Sequence, residues 1–272
     1  LEKKPPVPKL IFCLLLSVLF TACGPQPNNS IPIVAVHSQP LKKKVPPLDT
    51  MTLNYITGKF NPASDPDFVK INPTLADKPD MYMRHEAYGA FLKMYGAARS
   101  AGITLQIRSA ARNFDYQKGI WERKWTGETI LSSGENASKV YPKAVDRAEK
   151  ILNYSSMPGT SRHHWGTDID LNNFNNSWFE SGAGLKLFEW LEANAHLYGY
   201  CRPYTAKDSN RPEGYNEEKW HWSYMPLSQI LTDYAEAYLS NKMIKGFKGC
   251  EVADTLDVVK HYVLGINKGC RH

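Results

Sequence analysis

Residues 161 to 170 read Ser161-Arg162-His163-His164-Trp165-Gly166-Thr167-Asp168-Ile169-Asp170, and Leu171 follows. Met157-Pro158-Gly159-Thr160 breaks the helical spacing of residues 144 to 154 just before this stretch, and Ile169 and Leu171 flank Asp170 as in a short strand. Upstream, Ala87, Phe91, Leu92, Tyr95 and Ala98 recur at helical spacing from about Arg84 to Ser100, and Gly102 supplies a stop. Ile103, Leu105 and Ile107 then alternate with polar residues, which predicts a half-buried strand. A loop and a helix follow, carrying Arg112, Gln117 and Trp121. Downstream, residues 185 to 198 form an amphipathic helical pattern ended by Gly199. His221-Trp222-Ser223-Tyr224 reads as a strand, Pro226 opens another helix, and Glu251 to Tyr262 reads as a further one. Strands and helices are interspersed without a βαβ period or a glycine fingerprint. The expected class is α+β, a small antiparallel sheet flanked by helices, with the chemistry of the quoted stretch at the sheet.

The 272-residue chain has ends unlike its middle. Lys3, Lys4 and Lys9 precede an apolar run from Leu10 to Phe20 that closes on Thr21-Ala22-Cys23-Gly24. The run is too short for the roughly 20 residues of a membrane-spanning helix, so residues 1–22 read as a secretory leader. Small residues followed by Cys resemble the lipobox of bacterial lipoproteins, which makes Cys23 the expected lipid anchor; ordinary cleavage near Ala22 is the alternative. Residues 23–48, rich in Pro, Asn and Lys, read as a tether. The expected organisation is therefore leader 1–22, anchor and tether 23–48, catalytic domain 49–225 and a helical C-terminal extension 226–272. Export to the bacterial cell envelope permits a disulfide among Cys201, Cys250 and Cys270, and leaves the pairing open. The formal net charge of +6 is mild once the leader lysines are set aside, and no dense basic stripe with interleaved aromatics appears, which excludes a nucleic-acid partner.

The quoted stretch gathers imidazole and carboxylate donors around one glycine, as a divalent metal requires. A catalytic Zn²⁺ takes three protein ligands and leaves a fourth position for water. A third ligand is offered by Glu218-Lys219-Trp220-His221, which also brings a carboxylate to serve as general base beside an activated water. Each signal is weak alone, since a single His is more often a surface or hydrogen-bonded residue. His164 and His196 lack a second donor at ligand spacing and read as structural. Asp168 and Asp170 share one face of a strand, and spacing does not separate them as ligands.

Three blocks together carry a resemblance. Ser161-x-His163-x-x-Gly166-x-x-x-Asp170, Glu218-x-Trp220-His221, and Ser109-Ala110-Ala111-Arg112-Asn113-Phe114-Asp115-Tyr116-Gln117 are similar in order and spacing to the signature of the VanY-type D-alanyl-D-alanine carboxypeptidases. These are zinc peptidases of a superfamily shared with lysostaphin-type enzymes and the hedgehog signalling domain. The resemblance implies one Zn²⁺ held by His163, Asp170 and His221, with Glu218 as the base. It implies Arg112, Gln117 and Ser161 on the substrate's terminal carboxylate or developing oxyanion, a role that suits a planar guanidinium and fixed donors. Tyr215, three residues before Glu218, is a further pocket candidate, weighed against ordinary packing. Asp168 stands where the family usually has a small residue, and Ala110-Ala111 replaces Gly-Tyr.

The resulting expectation is a zinc-dependent carboxypeptidase that removes terminal D-alanine from peptidoglycan stem peptides, of D,D or L,D type. Its partners are stem peptides and, through the anchor, a membrane. The rivals are an endopeptidase with the same centre and a wall-binding lipoprotein without turnover.

Overall fold

The computed structural model describes residues 50–271; the leader, Cys23 and the whole tether lie outside the described residues. The first elements are helix α1 (Thr50–Ile56), strands β1 (Phe68–Lys70) and β2 (Tyr82–Arg84), helix α2 (His85–Ser100), strand β3 (Ile107–Ser109) and helix α3 (Phe114–Thr126). Helices α4 (Ala137–Val140) and α5 (Ala144–Leu152), strand β4 (Asp168–Leu171), helix α6 (Gly182–Asn194), strands β5 (Tyr200–Cys201) and β6 (His221–Tyr224) and helix α7 (Met225–Tyr238) follow. β1 and β2 form an antiparallel pair, and the remaining strands form an antiparallel sheet in the order β3-β4-β6-β5. The architecture is α+β with a small antiparallel sheet, as the spacing of apolar residues predicts. No described helix is long and apolar enough to cross a membrane.

Strand alternation positions the chemistry. In β4, Ile169 and Leu171 enter an apolar core with Phe91 and Met94 of α2 and Leu187 and Leu191 of α6. Asp168 and Asp170 therefore project from the opposite face. Register pairs Asp170 with His221 and Asp168 with Ser223 on β6, so the four polar side chains stand side by side. Trp222, between them in sequence, joins the α2/α6 core.

A second core holds Trp121 and Trp125 of α3 and Ile151 and Leu152 of α5. Ile244, Phe247, Val259 and Ile266 from beyond α7 belong to it too, so the segment after α7 is integral to this packing. The Trp121 indole donates to the carbonyl of Lys248 at 2.9 Å, and the Cys201–Cys270 disulfide fastens the last turn to β5. Cys250 is the free thiol among the described cysteines, which closes the pairing among Cys201, Cys250 and Cys270 that composition leaves open.

Two expected elements differ. The strand expected from Ile103 begins only at Ile107, because the Asn172 side chain takes over the backbone bonds before it. Its amide donates to the Thr104 carbonyl at 2.8 Å and its oxygen accepts from the Gln106 N–H at 3.1 Å. The helix expected over Glu251 to Tyr262 is broken into a 3₁₀ turn (Cys250–Val252) and a π turn (Val259–Val263). Asp257, between them, adopts a positive φ of 43° and accepts from the Asn241 amide, while Asn241 Oδ1 takes the Val259 N–H. A side chain again replaces the regular backbone ladder.

Candidate active site

His163 sits in the 3₁₀ turn Arg162–Trp165, which ends on Gly166. Gly166 has a φ of +69°, and a Cβ there would lie 2.3 Å from the Phe68 ring, so the turn closes only on glycine. Tyr55 of α1 donates to the Trp165 carbonyl at 2.6 Å, and the Trp165 indole donates back to the Ile56 carbonyl. The Arg112 N–H donates to the His163 carbonyl at 3.1 Å, which fixes the loop before α3 to the same turn. His163 is thereby held over the sheet face that carries Asp170 and His221.

One donor atom from each of His163, Asp170 and His221 lies within 4.8 Å of the others, and all three residues are buried. His163 Nδ1 meets the Ala110 carbonyl at 2.9 Å, which turns Nε2 inward, 3.3 Å from Asp170 Oδ2. His221 Nε2 meets Asp168 Oδ1 at 2.9 Å, leaving Nδ1 to face Asp170 Oδ1 at 3.1 Å. His163 Nε2 and Asp170 Oδ1 are buried yet make no properly aligned hydrogen bond, so the donors converge on a shared point more than they bond to one another. Burial should depress the His221 pKa, but Asp168, Asp170 and Glu218 together hold it well above its ordinary value. The centre attracts positive charge. Two imidazole nitrogens and one carboxylate in a closed setting fit Zn²⁺.

Asp168 has a separate task. It is fully buried and accepts from Arg162 Nε at 3.1 Å, Thr167 Oγ1 at 2.6 Å and Ser223 Oγ at 3.0 Å, besides His221. Burial opposes its charge, but the Arg162 guanidinium and the His221 imidazole outweigh it and keep the carboxyl far below its usual range. Asp168 is hydrogen-bonded to Nε2 of His221 and stands outside the trio of converging donor atoms. Arg162 has no sequence signal. Its partners Thr232 and Ser223 lie on α7 and β6, distant along the chain.

Glu218 is buried at the edge of the trio, with Oε2 3.4 Å from His221 Nδ1. Burial raises its pKa, against the pull of His221. In front of these groups lies a cleft of about 700 Å³. Arg112, Gln117, Ser161 and Tyr215 line it together with His163, Asp170, Glu218 and His221, so every expected site residue from the described part of the chain faces one space. Ser161 Oγ, Gln117 Oε1 and the Tyr215 hydroxyl are buried without a hydrogen-bond partner of ordinary geometry. Gln117 Nε2 is fixed by the Ser156 carbonyl at 2.8 Å. Tyr215 packs against Tyr262 at 5.1 Å between ring centroids, which makes the C-terminal segment a support of the cleft. Tyr204 and Lys124 also line it and carry no motif; the Tyr204 ring lies 4.6 Å from that of His221.

His164 holds the arrangement from behind. Its Nδ1 donates to the Arg112 carbonyl at 2.6 Å, and its Nε2 accepts the Gly159 N–H at 3.0 Å. Both nitrogens are used by the neutral ring, and burial lowers the pKa to about 3. The unfolded chain binds this proton near pH 6.5 and the folded one refuses it, so stability falls as pH drops from about 6.5 towards 3. The expected loss from this residue is about 2 kcal/mol between pH 6.5 and 5. Urea titrations of wild type and His164→Asn at both pH values measure it; the same pH slope for both proteins would refute the assignment.

A buried His-Asp-His trio on a turn and two adjacent strands, with the Glu218 carboxylate beside it and a cleft in front, is a donor set able to hold a divalent metal. Residues 80–227 match the VanY family, described as D-alanyl-D-alanine carboxypeptidase, and the chain belongs to that family. The D-alanyl-D-alanine carboxypeptidase of Enterococcus faecalis is 27% identical over 141 residues, covering 52% of this chain and 47% of that protein. The putative carboxypeptidase YodJ of Bacillus subtilis is 30% identical over 149 residues, 53% of this chain and 46% of its own length. The chain thus spans about half the length of the curated relatives it matches. Among solved structures, VanYB in complex with D-alanine-D-alanine is 22% identical, with 64% of this chain and 84% of that chain covered and a TM-score of 0.46.

Proposed function

We propose that the protein is a zinc-dependent carboxypeptidase that removes the terminal D-alanine from peptidoglycan stem peptides. The observation that carries this reading is the placement of Glu218 beside, and outside, the His163-Asp170-His221 trio at the head of a cleft lined by Arg112. When bound, Zn²⁺ supplies Lewis-acid polarisation of the scissile carbonyl and lowers the pKa of water. Glu218 accepts the proton of the attacking water and returns it to the departing amine. Arg112, with Gln117 and Ser161, holds the chain end so that the last peptide bond meets the trio. Ser161, whose hydroxyl is buried and unpartnered, stands ready to donate to an oxygen that gains charge.

The decisive experiment is mass spectrometry of defined pentapeptide and tetrapeptide muropeptides incubated with metal-loaded and chelated protein. The expected result is loss of one alanine from the free end, only in the loaded sample. Internal cleavage would transfer the site to an endopeptidase, and binding without mass change would leave a wall-binding protein. Activity on the pentapeptide alone defines D,D specificity, and activity on the tetrapeptide defines L,D specificity. The reading places the protein in the bacterial envelope, with residues 1–22 removed on export and Cys23 lipidated to tether the domain at a membrane. Intact-mass analysis of the membrane fraction tests the anchor.

A further inference from the structure

Two half-buried cations of the cleft wall, Arg112 and Lys124, have no anionic partner among the described residues. Arg84, Arg108, Arg162, Arg202 and Arg271 each meet a carboxylate. Arg112 meets none among the described residues, and its Nε is buried and unbonded. Lys124 meets none either; its ammonium is partly buried and contacts only the Ser155 hydroxyl, at 2.5 Å. Of the carboxylates lining the same cleft, Asp170 and Glu218 belong to the metal centre, and Glu135 is engaged by Ser133 and Tyr141. Lys150, the remaining cleft cation, lies over the Tyr141 ring at the exposed rim.

Helix geometry explains how Lys124 reaches inward. Gln117, Ile120 and Lys124 are spaced by three and four residues along α3, and all three line the cleft. Helical side chains lean towards the N-terminus, so the lysine stem points back towards Gln117 and Arg112, which precede it. Ser155, its partner, adjoins Ser156, whose carbonyl fixes Gln117. The ammonium is near enough to feel both Arg112 and Glu218: burial and the Arg112 charge lower its pKa, and Glu218 partly offsets them. Two like charges on one half-dry wall repel each other until an anion lies between them.

We propose that Lys124 is a second receptor for the substrate's C-terminal carboxylate, which it shares with Arg112, and that the pair selects peptides with a free chain end. The proposal rests on the carboxypeptidase reading. A planar guanidinium fixes the carboxylate's orientation, and the lysine supplies a mobile point charge on its other side.

The test compares zinc-loaded wild type, Lys124→Met and Lys124→Arg on stem peptides ending in free D-alanine or its carboxamide. Each is made with either a diamino diacid or lysine at the third position. Wild type should prefer the free acid by on the order of a hundredfold in kcat/KM, and Lys124→Met should lose about tenfold of that preference, chiefly through KM. Lys124→Arg should restore most of it, with zinc content and melting temperature unchanged across the set. An acid-to-amide ratio that stays at the wild-type value in Lys124→Met overturns the proposal. So does a loss confined to the diacid peptides whatever their chain end, since Lys124 would then read that other carboxylate. If wild type releases no terminal residue, the carboxypeptidase reading fails separately. Calorimetric binding of the acid and amide peptides to Glu218→Gln protein, with and without Lys124→Met, then decides the role of Lys124: an acid preference that Lys124→Met reduces supports it, and one that it leaves unchanged overturns it.

Discussion

Glu218→Gln should retain a full equivalent of zinc and lose turnover by about 10³-fold or more. The amide matches the carboxylate in shape, and Glu218 is not needed for the trio, whose donor atoms converge without it. What the change removes, on the proposed mechanism, is the proton acceptor beside the trio. Asp170 and Asp168 are poor substitutes: both are held far below the ordinary carboxylate range despite burial, Asp170 by His163 and His221, Asp168 by Arg162 and His221. A carboxylate held that firmly in its charged form is a weak base. Glu218 differs, because burial raises its pKa. Metal content by mass spectrometry and kcat on a stem peptide measure the two halves of the result. Wild-type turnover in the variant would remove Glu218 from the chemistry, and loss of zinc would make it a ligand.

The residues that announce this site are those in which local structure and chemistry coincide. The turn before β4, the alternation of Ile169 and Leu171 around Asp170, and the strand containing His221 are all short-range patterns. They give the sheet and three donors, because a two-residue period fixes which side chains share a face. The choice between Asp168 and Asp170 is different in kind. Both occupy that face; in the sequence only the family resemblance favours Asp170, and it takes the buried Arg162, held by Thr232 from α7, to show that Asp168 is engaged by a guanidinium and by His221. Contacts across 53 residues, to His221, and 70, from Arg162 to Thr232, leave no local trace. The same holds for Lys124, which in sequence is one more charge in Glu122-Arg123-Lys124, and for Asn172 and Asn241, whose amides replace backbone ladders that periodicity would have continued. The C-terminal segment reads as an appended helix because its apolar residues are visible, while their partners on α3 and α5 are not.

Asp168→Asn should destabilise the protein by about 3–5 kcal/mol and weaken zinc binding by about 10- to 100-fold. The first effect follows from Arg162, whose side chain is wholly inaccessible. With the carboxylate gone, its charge is left with the Thr232 and Ser223 hydroxyls and the face of Trp165, 4.5 Å from the ring centroid. Hydroxyls and a ring do not neutralise a buried guanidinium. The second effect follows from His221: a neutral carboxamide oxygen in place of Oδ1 accepts the Nε2 proton more weakly than a carboxylate, so the ring is oriented less firmly and its Nδ1 lone pair is less basic towards the metal. The two effects separate in a double variant. Arg162→Met with Asp168→Asn removes the stranded charge and should recover much of the stability, because breaking a buried pair costs more than deleting it. Zinc affinity should stay low in that protein, since His221 still lacks its carboxylate. Urea unfolding of metal-free proteins and competition with a chelator of known affinity read the two quantities independently. Recovery of both together would mean that Asp168 acts on the metal only through the stability of the fold.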